Sequence, residues 1–219
     1  MNLSARLTAI YNMIYDGAVV ADIGTDHGLL PCALVLNNKS PKVFASDNKA
    51  GPLNKARTNI AITGLQDRIE LVLADGLAPA FLEADVVVLA GLGVETISHI
   101  LTPWLSQLSA FDYLLIQANR KPYRLRQWLS ENSLSIAEEE LVYDEHFYQI
   151  LKVLPKAHPP YTKEDIFLGP CLKKRKDALW YAYIREDLER LLKVRQVRQS
   201  ENRDWRIAVY EKLIRDRQL

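Results

Sequence analysis

Cysteine is scarce in this 219-residue chain: Cys32 and Cys171 stand far apart and support neither a disulfide framework nor a zinc site. A cytosolic, reducing location is the resulting expectation. Long apolar runs are missing too, since none approaches the about 20 residues that a membrane span requires. The opening residues lack a secretory h-region, because Leu3, Leu7, Ile10 and Ile14 fall on one face of an amphipathic helix that Arg6 and Asn12 interrupt. Internal repeats, low-complexity tracts and a visible metal site are also absent. What is present is ordinary in bulk: 48% hydrophobic and 25% charged residues, enough for a globular core. The length allows one domain of usual size with a short appendage.

A further absence is more telling. The apolar run Ala18-Val19-Val20-Ala21 leads into Asp22-Ile23-Gly24-Thr25-Asp26-His27-Gly28-Leu29-Leu30-Pro31, which reads as a buried strand, a tight turn and a helix. An open α/β sheet binds nucleotides at such a turn. A dinucleotide site would need G-x-G-x-x-G there, with the pyrophosphate on the helix N-terminus. This turn is D-x-G-x-D-x-G instead, and the carboxylates of Asp22 and Asp26 beside Gly24 disfavour phosphate. They suit a cation. S-adenosyl-L-methionine, with its sulfonium and ammonium groups and no phosphate, fits that requirement.

Acids recur at the ends of the next strands. Lys42 to Ser46 forms a second strand ending at Asp47, where an acid about 20 residues after the glycine turn accepts the ribose hydroxyls of a nucleoside. Ala50 to Thr63 reads as a helix closed by Gly64. Arg68 to Ala74 is a third strand ending at Asp75-Gly76, a pair that either accepts from an adenine amino group or makes a simple turn. Asp85 to Ala90, nearly all β-branched, is a central fourth strand, followed by Gly91-Leu92-Gly93 and a helix from Val94 to about Leu105. Glycines there let a substrate base approach the backbone. The Asn/Asp-Pro-Pro-aromatic element of enzymes that methylate exocyclic amino groups is lacking. Phe111 to Ala118 and Tyr123 to Glu131 read as a fifth strand and a helix, and Leu134 to Tyr143 with His146 to Leu154 as a hairpin joined by Asp144-Glu145.

The predicted fold is therefore α/β: a Rossmann-like, seven-stranded class I methyltransferase sheet over residues 1–155. Lys156-Ala157-His158-Pro159-Pro160 reads as the linker to a helical, coiled-coil-like appendage over residues 156–219. In that appendage Trp180, Ile184, Leu188 and Leu191 make one apolar stripe. The stripe lapses near Gln199-Ser200-Glu201-Asn202, and Trp205, Ala208, Val209 and Leu213 restart it, as in an antiparallel helix pair. Charge divides along the same line. Residues 1–155 carry 12 Lys+Arg and 17 Asp+Glu, a net −5, whereas residues 156–219 carry 16 and 10, a net +6. An acidic ligand-binding body with a basic tail points to a polyanionic partner, against the plainer reading of a solvated helix pair.

Ala21 to Pro31, Asp75-Gly76, Ala90 to Gly93, Leu3-Ser4-x-Arg6-Leu7 and the basic tail together resemble the bacterial TrmK family of tRNA adenine(22)-N(1)-methyltransferases. The family's A-D-I-G-[ST]-D-H-x-x-L-P turn is matched at every fixed position. Its A-G-M-G-G stands here as Ala90-Gly91-Leu92-Gly93-Val94, and its Q-P-N as Gln117-Ala118-Asn119. The resemblance implies that Asp22, Gly24, Asp47, Asn48, Asp75, Gly76, Ala90, Gly91 and Leu92, with Asp26 and His27, line the S-adenosyl-L-methionine site. It implies that the space between Asp26-His27 and Gly91 to Gly93 receives the adenine, and that tRNA is the partner. No membrane and no metal are expected from the residues, and a monomer or weak dimer is the expected working form.

The mechanism expected from this set is modest. Ring nitrogen 1 of adenine carries a lone pair, so alignment supplies most of the acceleration. Asp26, His27 and Asn119 are the candidate catalytic residues. Asp26 either stabilises the charge that moves onto the purine or caps the following helix; His27 either touches the base or packs in the turn. Gly93, Tyr123 and Arg124 are candidate substrate contacts. Tyr123 sits beside Lys121, Arg124 and Arg126 either at the mouth of the site or on an ordinary surface loop. Lys173, Lys174, Arg175 and Lys176 are candidate phosphate contacts or simply solvated. Trp180, Tyr181, Tyr183 and Trp205 read as seam residues, and His99, His146 and His158 as structural or exposed. Two other functions share the donor site: a small-molecule methyltransferase and a non-catalytic module that binds the donor.

Overall fold

A computed structural model describes residues 2–197 and 200–217. The chain divides into two compact units, Met1–Cys171 and Leu172–Leu219.

The first unit is built on a seven-stranded sheet of order β3-β2-β1-β4-β5-β7-β6, formed by β1 (Val20–Ile23), β2 (Val43–Asp47), β3 (Ile69–Leu73), β4 (Val86–Leu92), β5 (Tyr113–Ala118), β6 (Leu134–Asp144) and β7 (His146–Ala157). The first five strands run parallel, and β7 pairs antiparallel with both β5 and β6. Asp144 pairs with His146, which leaves Glu145 alone at the hairpin tip with φ 60°. Because successive strand residues face opposite sides, Val86 and Val88 enter one core and Val87 and Leu89 the other. The first core packs under α1 (Ala5–Met13), α2 (Leu29–Leu36) and α3 (Ala50–Thr63); the second packs under α4 (Val94–Leu101) and α5 (Pro122–Glu131).

Local signals explain most of these elements. Ser4 Oγ accepts from the Leu7 N–H and opens α1, and Gly64 closes α3 in the left-handed conformation. The helix after strand four is shorter than expected: α4 ends at Leu101 and passes into a 3-10 turn, Thr102–Trp104, that carries Pro103. Val94, in place of the family's glycine, is the first residue of α4 and is buried; Gly93 before it has an ordinary φ of −74°. No glycine freedom is needed at position 94.

The expected boundary at 155/156 is displaced. β7 continues to Ala157, α6 (Lys163–Leu168) belongs to the first unit, and the division falls after Cys171. Tyr161 explains part of the shift: its hydroxyl accepts from the Ile136 N–H at 2.6 Å and its own N–H donates to Ser130, so the segment with the prolines is fastened to the sheet. The second unit opens with a 3-10 turn, Leu172–Lys174, and consists of α7 (Ala178–Val197) and α8 (Glu201–Asp216). Trp180, Ile184 and Leu191 are buried on α7, as the stripe predicted, with Leu188 half-buried; Tyr181, outside the stripe, is buried as well. On α8 the predicted face is wrong. Ile207 and Tyr210 are buried, Trp205 and Val209 are only half-buried, and Ala208 is exposed. The Tyr210 hydroxyl donates to the buried carboxylate of Asp187, which turns that face inward. Tyr183 is half-buried and stacks on Trp180. Of the segment where the stripe lapses, Gln199 lies outside the described residues and Ser200 stands before the first turn of α8.

Candidate functional site

The chain leaves β1 to build β2 and β3 on one side, then returns to place β4 on the other side of β1. The connections on the two sides of that divide part company, and a crevice opens at the carboxyl ends of β1 and β4. It is a cleft of about 520 Å³ lined by residues of α1, the β1–α2 turn, the ends of β2, β4 and β5, and β7. A smaller recess of about 100 Å³ adjoins it between the ends of β2 and β3 and α4, and Gly24, Asp47, Asn48 and Leu92 line both. The larger cleft falls in the usual size range for small-molecule sites.

The carboxylates meet here. Asp22 is the penultimate residue of β1, is 5% exposed, and accepts from the Thr25 hydroxyl at 2.7 Å. Burial, with a smaller push from neighbouring Asp47, holds its carboxyl up at about 6 against the downward pull of the Thr25 hydrogen bond and the Arg6 charge. Asp47 accepts from the Lys49 N–H at 2.9 Å, and Asp75 Oδ1 accepts from the Asn48 side-chain amide at 3.1 Å. Asp75 and Gly76 line the smaller recess with Ala74, Thr96 and Ile100. Gly24, at φ 79°, folds the turn back so that both its N–H and that of Thr25 donate to Ser46 O at 2.8 Å, which ties the turn to β2.

Asp26 does not cap α2. The residue preceding that helix is Gly28, in the left-handed conformation, and no side chain bonds its first turn. Asp26 has φ 51°, its side chain is 67% exposed, and its Oδ1 lies 3.6 Å from His27 Nε2. Both side chains line the larger cleft. The helix-cap reading therefore falls, and an acid and an imidazole stand together at the open side.

Ala90, Gly91, Leu92 and Asn119 form the opposite wall. A bulge interrupts the pairing of β4 with β5 between Ala90 and Leu92, and Gly91 takes φ 78° there. Its peptide is held from both sides: the Gly91 N–H donates to Gln117 Oε1 at 3.0 Å, and Gly91 O accepts from Asn119 Nδ2 at 2.5 Å. Gln117 is fully buried and accepts a second bond, 2.8 Å, from Arg6 Nη1.

The remaining candidates of the first unit do not line the cleft. Gly93 is exposed ahead of α4, Tyr123 is half-buried in the first turn of α5, and Arg124 pairs with Glu95 at 3.3 Å. Arg126, grouped with them by sequence, is wholly buried against Glu139 and Gln149 and belongs to the core. Lys173, Lys174, Arg175 and Lys176 lie in the second unit, where Lys174 and Lys176 are exposed and Arg175 pairs with Asp177 at 2.6 Å. His99 and His146 are exposed, and His158 stacks on Tyr161 at 4.3 Å between ring centroids.

Sequence reasoning missed Arg6, Thr25, Lys49, Gln117 and Tyr148 as part of the site or its support. Two signals were available: a charged residue interrupting the apolar face of the first helix, and a glutamine in an otherwise apolar strand. Among the described residues, no helix is long and apolar enough to cross a membrane, and no group of three or more His, Cys, Asp and Glu is placed to hold a metal ion.

Comparison with known proteins agrees with this geometry. The family model for TrmK, tRNA (adenine(22)-N(1))-methyltransferase, matches residues 20–218. A tRNA (adenine(22)-N(1))-methyltransferase of Bacillus subtilis is 31% identical over 197 residues, 86% of this chain and 82% of that protein. The structure of Mycoplasma capricolum TrmK with S-adenosyl-homocysteine superposes with a TM-score of 0.82 at 29% identity, covering 97% of each chain. A Streptococcus pneumoniae protein solved in complex with S-adenosyl-L-methionine gives 0.86 at 28% identity, covering 96% of this chain and 99% of that one.

Proposed function

Since the chain belongs to the TrmK family of tRNA (adenine(22)-N(1))-methyltransferases, we propose that it methylates ring nitrogen 1 of adenine 22 in tRNA, with S-adenosyl-L-methionine as donor. One observation carries this reading: Asp22, Asp47 and Asp75, at or just past the ends of three neighbouring parallel strands, surround a cleft with its adjoining recess. That donor set fits a cationic nucleoside and repels a pyrophosphate.

Asp22, buried and within reach of the cleft, would take the ammonium group, and Asp47 the ribose hydroxyls. Asp75 and Asn48, beside Gly76, would hold the adenine of the donor in the smaller recess. The bound donor supplies an electrophilic methyl group. The protein's part is then to set the substrate adenine in line with it, against the wall of Gly91 and Leu92. As the new N–CH3 bond forms, the electron pair of the broken S–CH3 bond stays on sulfur and the purine becomes cationic. The exposed carboxylate of Asp26 is suited to stabilise that cation, or to accept a proton from the adenine amino group. His27 and Asn119 flank the same space, His27 as a surface for the base and Asn119 through its hold on Gly91.

A polyanion needs a basic counterpart, and the second unit carries the positive charge of the chain, with Lys173 to Lys176 at its start. We assign tRNA contacts to that unit, with Gly93, Tyr123 and Arg124 contacting substrate at the edge of the first. The working form is a monomer or weak dimer in the cytoplasm.

Incubation of the full chain with methyl-labelled S-adenosyl-L-methionine and bulk bacterial tRNA, followed by mass spectrometric mapping, tests the reading. Label on nitrogen 1 of adenine 22 is the expected result. Label only in small metabolites, or none, overturns it.

A further inference from the structure

The β6–β7 hairpin runs past the edge of the sheet that carries the cleft. Pairing of β5 with β7 stops at Gln117 and Ile150, and β5 ends one residue later at Ala118, so His146 to Tyr148 extend about 10 Å beyond that edge. The extension is braced twice. Tyr143 and Phe147 are cross-strand partners whose rings meet edge to face at 5.1 Å and 66°. Asp144 Oδ2 accepts from the Arg6 N–H at 3.1 Å, which ties the tip to the first turn of α1.

The two faces of the tip have different neighbours. Leu151 and Val153 enter the core under α4 and α5, and Gln149 bonds Arg126 of α5; Phe147 continues that face by alternation, and its partner Tyr143 shares it. Ile150 enters the other core, and Tyr148 continues its face into the lining of the cleft. The hairpin thus stands between the cleft and an aromatic surface on the α5 side, where Tyr143 leaves 55% of itself in water. Charge divides the same region. Beyond Asn119, which lines the cleft, Arg120 and Lys121 are exposed ahead of α5, whereas the tip carries the exposed acid Glu145. A nucleic-acid strand passing here is drawn by its phosphates to Arg120 and Lys121 and repelled by them from Glu145, so what it can present to the tip is a base.

The proposed reaction supplies such a base. An adenine that enters the cleft must leave its stack, and the neighbour it leaves has one broad apolar face uncovered. An aromatic ring covers that face whatever the base is. We propose that Tyr143, braced by Phe147, stacks on the base flanking the target adenine in the tRNA and holds the strand open while the adenine lies in the cleft. This inference rests on the function proposed above, and it makes Tyr143 a substrate-positioning residue outside the donor site.

Steady-state methylation by the full chain tests it on a bacterial tRNA transcript with adenine at position 22 and on two versions of it that lack the base on the 5′ or the 3′ side of that adenine. Tyr143→Ala should lower kcat/KM on the intact transcript about 5- to 100-fold, the worth of one base–aromatic stack. Its affinity for S-adenosylhomocysteine in calorimetry should stay within about twofold, which separates lost stacking from misfolding. Tyr143→Trp, with a broader ring, should keep kcat/KM within about threefold of the wild type. On one of the two abasic transcripts the wild type and Tyr143→Ala should be equal within about twofold, since the ring has no base to cover there.

Full kcat/KM in Tyr143→Ala, or an equal loss on all the transcripts, overturns the inference while the methyltransferase reading stands. So does a Tyr143→Ala protein that loses self-association in sedimentation at unchanged kcat/KM, which would make the tip a contact between two copies of this chain. A wild type that leaves adenine 22 unmodified overturns that reading and this inference with it.

Discussion

Two arginines of this molecule each donate to a buried glutamine, and they end in opposite circumstances. Arg126 of α5 reaches Gln149 at 2.5 Å and also has its carboxylate inside the protein, Glu139 at 2.6 Å, with both side chains fully buried. Glu139 accepts from the Cys171 N–H as well, and Gly169 lies so close that a Cβ there would fall 2.5 Å from Glu139 Oε2. Arg6 reaches Gln117 and stops, half-buried, at the wall of a cleft. Among the described residues the first charge meets a carboxylate and the second does not. A desolvated ion pair holds a fold because breaking it strands its partner, whereas an unpaired cation beside a cleft is available to a ligand.

The contrast can be broken first at Glu139. Glu139→Ala leaves Arg126 buried without its counterion, and unfolding in urea should show a loss of about 3–5 kcal/mol. The affinity of the folded fraction for S-adenosylhomocysteine should stay within about twofold, since the pair lies outside the cleft. A large loss of affinity at unchanged stability would reverse the roles given to the two regions.

Asp22→Asn is the matching change in the cleft. It should weaken S-adenosylhomocysteine by about 10- to 100-fold in calorimetry, the cost of a lost charge-assisted hydrogen bond to the ammonium group. The amide can still accept from Thr25 and no longer carries a buried charge, so stability at neutral pH should hold or rise.

A smaller effect sharpens the same point. The Asp22 carboxyl lies at about 6 in the folded protein, above the ordinary 3.8. The folded state therefore binds more protons than the unfolded chain between those values, and this group's contribution to stability grows as pH falls through about 6 toward 3.8. Affinity moves the other way, because a cationic ligand needs the carboxylate. From pH 7 to pH 5 the dissociation constant should rise about tenfold, and Asp22→Asn should remove that slope. The smallest effect concerns the fold at Arg6: Arg6→Met should cost about 1 kcal/mol or less in urea unfolding, since Gln117 keeps its bond from Gly91.

The line of acids was readable because each sits at the end of a local pattern. A β-branched run closed by Asp and Gly marks the end of a strand, and in a parallel sheet all such ends gather at one edge. Asp22, Asp47 and Asp75 were found in this way, as was the Gly64 stop of α3. Arg6, Gln117 and Gly91 were not found together, because Arg6 and Gln117 are 111 residues apart and no local periodicity records that meeting. Two roles were left open for Asp26 for a related reason. An acid three residues before a helix looks like a cap, but Gly28 takes the position instead and Asp26 turns outward. On α8 the apolar residues Trp205, Ile207, Ala208, Val209 and Tyr210 fit more than one face, and the hydrogen bond from Tyr210 to Asp187 chose between them.

Local alternation and punctuation were enough to determine the α/β class, the parallel strands with their terminal hairpin, and the acidic character of the turn. Those features depend on neighbours in the chain, whose spacing the sequence states outright. Tertiary structure alone decided which cation faces the acids, which arginine is sealed inside, and where the first unit ends. Each of those outcomes depends on burial and charge contributed by residues remote in sequence, and electrostatic strength is set by what the folded chain leaves in water.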